Sequence, residues 1–341
     1  MTKQAIQLVK YGPAETAFNF TDATPIPLEH DEVEIAVERF GINYADVMAR
    51  NGLYREAPPL PCVLGYEVVG EVTKIGKDSP KELLGKRVVA FARFGGYSQV
   101  VNTKYYAVAP IADLDGNKAL CLATQYVTAY YMSEIALYIN EGDNILIHAA
   151  AGGVGTALIQ LMKSKNVNII AKVGSDNKIA HLKSMGIKHI VNYNKNDYVV
   201  EVQAILGDEK LDVSFNPVGG SSFKKDWKLI GPTGKLLLYG GSERSGKKWG
   251  ILSDLNFVRK MGILIPIGLM GTSKSVIGVN MLRVSEMKPL LLKKCLDAVV
   301  ALAIKEEIQP HVDKVFKATE IAAAHAYLES GKSVGKVVLE W

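Results

Sequence analysis

Three glycines in four positions, Gly152-Gly153-Val154-Gly155, follow the apolar run Ile145-Leu146-Ile147-His148 and precede Ala157, Leu158, Leu161 and Met162 at helical spacing. A buried strand, a tight turn without side chains and a helix, in that order, suit the binding of a diphosphate. Backbone N–H groups at the helix N-terminus receive the negative charge, and no Cβ keeps the phosphates away. The dinucleotide fingerprint G-x-G-x-x-G reads here Ala150-x-Gly152-x-x-Gly155, and alanine at its first position requires that residue 150 keep a negative φ. Gly152, Gly153, Val154 and Gly155 are therefore candidate pyrophosphate ligands, with a plain strand-to-helix turn as the competing reading.

The next apolar run, 167–173, ends at Gly174-Ser175-Asp176-Asn177-Lys178. An NAD-selecting site places Asp or Glu about 20 residues past the glycines to hold the ribose 2′-OH. Position 174 is glycine, so Gly174, Ser175 and Lys178 point to a 2′-phosphate, and the expected cofactor is NADPH. Asp176 argues the other way unless it serves as the N-cap of a helix over 178–185.

Elements that position these residues follow from the rest of the chain. Strand-like runs at 190–193, 211–215 and 236–241 alternate with helical stretches, which requires an α/β fold with a doubly wound parallel sheet and right-handed crossovers. Gly240 and Gly241 fall at a strand's carboxyl end, where such sheets bind ligands. Upstream, 3–9 and 32–38 alternate as half-exposed strands, and the glycine density through residue 90 marks a compact, barrel-like β domain. His148, at the end of a buried strand, is expected to be a hydrogen-bonded core residue. A length of 341 residues suggests two domains, and 48% hydrophobic with 22% charged residues describes an ordinary globular chain. The net charge of +5 fits an anionic cofactor better than a dedicated nucleic-acid face, so no nucleic-acid partner is expected. Three cysteines without close pairing, no signal peptide and no apolar run of about 18 residues read as a cytoplasmic protein.

The runs GINYADVMARNGLY, PPLPCVLGYEVVGEV, GKRVVAF, HAAAGGVG and ESGKSVGKVVLEW make the chain similar, nearly end to end, to the medium-chain dehydrogenase/reductase superfamily in its zinc-free quinone oxidoreductase branch. Within that branch it most resembles the synaptic vesicle membrane protein (vesicle amine transport protein) group. The resemblance implies a GroES-like β-barrel catalytic domain, residues 1–121 and 283–341, with a Rossmann domain, 122–282, inserted between its parts. It implies that Asn43 and Asp46 bring polar groups to the nicotinamide ribose and the substrate cleft, unless both merely cap the short helix they begin. Tyr54 matches a segment that supplies a proton donor in enoyl thioester reductases and contacts cofactor and substrate in quinone reductases; an ordinary loop aromatic is the alternative. Thr128 lies where a helix reaches the cofactor, Tyr193 matches a residue that stacks near the adenosine phosphate, and Asn280 closes a strand that meets the nicotinamide amide.

Zinc enzymes of the superfamily hold their metal with a cysteine three residues before an aspartate and with the histidine of Gly-His-Glu. Here Asn43 precedes Asp46 and the triplet reads Gly65-Tyr66-Glu67, so no metal site is expected. The implied activity is zinc-independent, NADPH-dependent reduction of a small-molecule quinone or enone. The alternatives are a 2-enoyl thioester reductase and a cofactor-binding protein that docks on membranes or partners with little catalysis. The segment 242–275 carries Lys247-Lys248-Trp249 and Arg259-Lys260 among Leu252, Leu255, Phe257, Ile263, Leu264 and Ile265. It reads as a helical lid over the cleft, or else as a membrane-surface helix. The apolar, proline-free run 276–280 is expected to be an open sheet edge that pairs with a second copy in a homodimer, and a proline at Val279 to break that pairing.

Overall fold

The computed structural model describes residues 2–23, 26–244 and 250–341, apart from the side chains of 250–254. Lys247, Lys248 and Trp249, and the side chain of Leu252, lie outside the described residues. The chain forms two compact units, one from Met1–Thr128 with Met281–Trp341 and one from Ala129–Asn280. The crossings thus lie at residues 128 and 280 rather than 121 and 282, because the helical turns just after Cys121 still pack against the first unit's strand Arg87–Phe91 and helix Pro289–Ile304.

In the first unit the strands are β1 (Gln4–Leu8), β2 (Phe18–Asp22), β3 (Glu32–Ile42), β4 (Cys62–Val63), β5 (Glu67–Ile75), β6 (Arg87–Phe91), β7 (Val100–Lys104) and β8 (Val108–Pro110). The second unit carries β9 (Asn144–Ile147), β10 (Asn168–Val173), β11 (His189–Asn192), β12 (Leu211–Asn216), β13 (Ile230–Leu238) and β14 (Ser275–Gly278). The chain then returns to the first unit with β15 (Val312–Lys317) and β16 (Lys336–Glu340). There the large sheet runs β15-β16-β3-β5-β6-β8, with β7 also on β3, and a smaller sheet runs β2-β1-β4. The alternation seen at 32–38 holds: Val33, Ile35 and Val37 point inward with Phe40, Val68, Val88 and Leu339 into one core. β3 extends to Ile42, so its last residues lead directly to Asn43 and the helix Tyr44–Arg50.

The second unit is a six-stranded parallel sheet in the order β11-β10-β9-β12-β13-β14. Numbered along the unit this is 3-2-1-4-5-6, the doubly wound order with its switch point between the first and fourth strands. The run 121–138, whose apolar spacing reads as a helix, is helical through Ile135 but is not a plain α-helix. Helix begins at Gly116, capped by Asp115, whose carboxylate accepts from the Lys118 N–H at 2.9 Å. Two π-helical turns, Leu122–Tyr126 and Tyr131–Ile135, then flank one α turn at Val127–Tyr130. A π turn inserts one residue into the 3.6-residue period, which spacing of apolar residues does not reveal. Among the described residues no helix is long and apolar enough to cross a membrane.

Close strand approach in the barrel rests on one absent side chain. A Cβ on Gly70 would lie 2.0 Å from the Ala36 carbonyl oxygen, where β3 and β5 pair with a register shift. Backbone cannot yield as a flexible side chain does, so Gly70→Ala is expected to destabilise the protein by roughly 1–3 kcal/mol. Urea unfolding of the variant checks this, and an unchanged midpoint would refute it.

Candidate functional site

In the second unit β9 leads into the turn that the sequence singled out. Ala149 takes the left-handed conformation, φ 49°, while Ala150 is not among the residues of positive φ, as its lack of glycine requires. Gly152 is extended at the start of the helix Gly153–Met162, and no side chain caps that helix. Its first N–H groups, from Gly153 to Gly155, are thus left to a ligand. A Cβ on Gly155 would stand 2.6 Å from the carbonyl oxygens of both Ala149 and Ala150, so only glycine lets the helix pack this closely on the turn. Such an N-terminus fits a diphosphate by charge and by space.

At the tip of β10, the space beside Gly174 is taken by Tyr193, whose hydroxyl oxygen lies 2.7 Å from where a Cβ would stand. A side chain at this position would require the exposed Tyr193 ring to shift. Asp176 does not cap the following helix Asn177–Ser184, which corrects the capping reading; it has no side-chain cap bond and its backbone is already helical. Its carboxylate instead pairs with Lys195 at 2.6 Å and accepts from Asn192 at 2.8 Å. The Lys195 ammonium holds it below the usual carboxylate range. Ser175 donates to Asn177, and Lys178 is the second residue of the helix. Gly240 lies against the Pro217 carbonyl, 2.6 Å from its would-be Cβ, and Gly241 faces the Phe257 ring at 3.4 Å. Phe257 thus lays the helix Gly250–Met261 over the glycine turns at the carboxyl ends of β12 and β13, and Lys260 fastens it to Glu243 at 2.6 Å.

Beneath these turns lies a buried polar network that spacing did not reveal. His148 Nε2 donates to Asp226 (2.9 and 3.1 Å to its two oxygens) and Lys172 Nζ donates to His148 Nδ1 at 3.1 Å. Tyr198, Ser214 and Asn216 also donate to Asp226, at 2.7, 2.8 and 2.6 Å. Burial, with the Lys172 charge, pushes the imidazole pKa down, which keeps it neutral with its proton on Nε2. Burial also pulls Lys172 down to about 8. Its ammonium lies over the rings of Tyr198 (3.9 Å) and Tyr193 (4.7 Å). Asn216 accepts from the Val218 and Gly219 N–H groups at 2.8 and 3.0 Å and so shapes the glycine loop.

In the first unit β3 delivers Asn43 as N-cap of the helix Tyr44–Arg50, and Asp46 reaches back to the Asn43 N–H at 2.8 Å. Its other oxygen accepts from the Gly65 N–H at 3.1 Å. The capping alternative therefore holds for Asp46, and it is fully buried while so engaged. The Asn43 side chain turns away, donating to Glu67 Oε1 at 2.8 Å and accepting from Lys336 Nζ at 2.9 Å. Lys336 and Glu67 form a wholly buried ion pair. Tyr54 follows Gly52, φ 70°, and its ring meets that of Tyr66 edge-on at 6.3 Å. Burial raises both phenols, so each keeps its proton. Thr128 is a buried residue at the end of the unit's first segment, and Asn280 is the exposed last residue of the second unit. Among the described residues no cluster of His, Cys, Asp or Glu could hold a metal ion.

The residues missed by the sequence reading are Lys172, Asp226, Tyr198, Glu67 and Lys336. A lysine within the apolar run Ile169-Ile170-Ala171-Lys172-Val173 was the available signal, since a strand buried on both faces tolerates charge only with partners.

Burial drives the Asp46 carboxyl up to about 7, against hydrogen bonds from Asn43 and Gly65 and the charge of Lys336, and with that of Glu67. Its folded pKa lies above the unfolded value, so its contribution to stability is full below about pH 4 and is lost as pH rises through about 7. Asp46→Asn stays neutral throughout. Between pH 4 and pH 8 its unfolding free energy should shift, relative to wild type, by roughly 3–4 kcal/mol in its favour. Urea melts at both pH values check this, and a pH-independent difference would refute it.

Two family models match the chain: "Alcohol dehydrogenase GroES-like domain" over residues 29–131 and "Zinc-binding dehydrogenase" over 185–339. The human synaptic vesicle membrane protein VAT-1 homolog is 30% identical over 311 residues, 90% of this chain and 78% of its own length. Among solved structures, the Escherichia coli quinone oxidoreductase complexed with NADPH superposes with TM-score 0.86 at 25% identity, covering 99% of this chain and all of the other. The CurK enoyl reductase gives 0.83 at 25% identity, covering 100% and 99%. With a GroES-like barrel, a six-stranded Rossmann sheet and these relatives, the chain belongs to the medium-chain dehydrogenase/reductase superfamily of oxidoreductases, close to VAT-1 homologs and quinone oxidoreductase-like proteins.

Proposed function

We propose that the protein is a zinc-independent, NADPH-dependent oxidoreductase acting on a quinone or enone. The observation that carries this reading is the uncapped helix start at Gly153 behind a turn in which Gly155 admits no side chain. The backbone N–H groups of Gly153, Val154 and Gly155 would hold the diphosphate, with Gly240 and Gly241 leaving the neighbouring strand end open. NADPH is favoured over NADH because position 174 is glycine, with no carboxylate for the 2′-OH, and Lys195 engages Asp176. Lys178, Ser175 and Tyr193 would then face the 2′-phosphate, and the E. coli relative is itself solved with NADPH. Bound at this site, the nicotinamide supplies a hydride to an electron-poor acceptor. The chain's part is to orient both partners and exclude water. Asn43, Thr128 and Asn280 are the residues assigned to that positioning, with Asp46 holding the Asn43 backbone from within the core, and Tyr54, whose phenol burial keeps protonated, is the group able to give a proton. Zinc is not part of the proposal, since the donor chemistry at the two ligand positions is wrong: the Asn43 carboxamide is engaged by Lys336 and Glu67, and the Tyr66 phenol is buried and protonated. The resemblance to CurK enoyl reductase makes a 2-enoyl thioester the second acceptor to test.

Purified protein treated with a chelator is expected to oxidise NADPH faster with 1,4-benzoquinone than with crotonyl thioester. Lys178→Ala should weaken NADPH by about 1–3 kcal/mol, the loss of a charge-assisted contact, and leave NADH nearly unchanged. Chelator-sensitive turnover, or equal loss for both cofactors, would overturn the assignment.

The same reading includes a homodimer across β14. This strand pairs only with β13 among the described strands, and in the segment that precedes it in sequence Ile263 (93% exposed), Ile265, Ile267 and Met270 present apolar side chains to solvent. Val279 is the wrong residue to block, because its N–H donates inward to the Leu238 carbonyl at 2.9 Å. By the alternation of a strand, Gly278 offers its N–H to the open edge. Gly278→Pro is therefore expected to yield monomers in light scattering while a wild-type dimer persists at micromolar concentration. A monomeric wild type would sink the dimer, and a dimeric variant would move the interface elsewhere.

A further inference from the structure

We propose that Glu67 and Lys336 are positioning residues that lock the Asn43 carboxamide so that its second Nδ2–H is a fixed donor available to a ligand. This rests on the reading of Asn43 as a site residue. An asparagine side chain can turn over at little cost when its neighbours accept either end. Here they do not. Asn43 Oδ1 faces the Lys336 ammonium at 2.9 Å, and Nδ2 faces the Glu67 carboxylate at 2.8 Å. Turning the amide over would set an N–H against the ammonium and an oxygen against the carboxylate, so one orientation survives.

The donor count closes on itself. Lysine carries three N–H donors, and those of Lys336 go to Glu67, to Asn43 Oδ1 and to the Ile42 carbonyl at 3.2 Å. The other end of the residue is held as well, because Asp46 fixes the Asn43 N–H. One Nδ2–H goes to Glu67, and among the described residues no acceptor takes the second. Glu67 and Lys336 are completely buried, whereas Asn43 is only partly buried, so the unused donor belongs to the one member of the trio that a ligand can reach. Space for the pair comes from Gly41, where a Cβ would fall 2.3 Å from Glu67 Oε1 and 2.5 Å from Lys336 Cε.

A double-variant cycle tests the lock. Asn43→Ala, Lys336→Met and the two combined are compared by fluorescence titration with NADPH and by kcat and KM for 1,4-benzoquinone, with urea melts to record stability separately. Each single change is expected to lower NADPH affinity or kcat/KM by about tenfold. The combination should be no worse than Asn43→Ala alone, since without the carboxamide there is nothing left to orient. Glu67→Gln keeps the shape of the side chain while letting the carboxamide turn, and it supplies a second cycle with the same expectation should Lys336→Met not fold. Losses that multiply in the combined variants would overturn the proposal and leave the pair as scaffold. An Asn43→Ala protein equal to wild type in affinity and in both kinetic constants would remove Asn43 from the site, a failure of the underlying reading that takes the lock with it.

Discussion

The first unit depends on an ion pair formed in the absence of water. Lys336 on β16 and Glu67 on β5 are both fully buried, and neither strand touches the other in the sheet, since β3 runs between them. Withdrawing two charges from solvent costs several kcal/mol each, and the attraction between them offsets this only when the remaining donors and acceptors are also used. That condition explains the surroundings. Ile42 turns its carbonyl inward, Asn43 presents both ends of its amide, and Gly41 carries no side chain. Strand end, helix start and closing strand are therefore consequences of one electrostatic requirement.

A second requirement of the same kind operates under the dinucleotide turn of the other unit. There the charges of Lys172 and Asp226 are separated by a neutral imidazole, which accepts from one and donates to the other. The residue just past β9, the strands β10 and β12 and the helices Tyr198–Leu206 and Ser221–Leu229 each contribute one or more members. Carboxyl ends of parallel strands are otherwise joined only by backbone ladders, so the network sets the spacing of the strand ends from which the glycine turns spring. Asn216 gives its amide nitrogen to this network and its oxygen to the Val218 and Gly219 N–H groups, so the network also organises the glycine loop.

Much of this was readable in advance, and the division follows the physics. Periodicity located β1, the parallel strands and the glycine turn, because two-residue alternation and apolar runs reflect burial directly. Gly155, Gly174 and Gly240 were recognisable because a missing side chain leaves a mark in the chain itself. The π turns around Thr128 were not, since an extra residue per turn leaves the set of apolar residues unchanged. Nor were Lys336 and Glu67, which lie 269 residues apart and become partners only through the fold. Asp176 was placed correctly at a helix start but given the wrong bond, because Lys195 offered it a full charge where the helix offered partial ones.

The separation of residues 67 and 336 also governs the order in which the protein can be made. The parallel-sheet unit is continuous in sequence, and all six of its strands have been synthesised once residue 280 has been added. At that moment the barrel has β3 and β5 but not the strand that carries the lysine, so Glu67 has no cation and Asn43 no fixed amide. Domains fold as units in the order of synthesis. Here the inserted domain is complete while its host still waits, and an unfinished chain keeps an open barrel edge until the final strand supplies both the ladder and the charge.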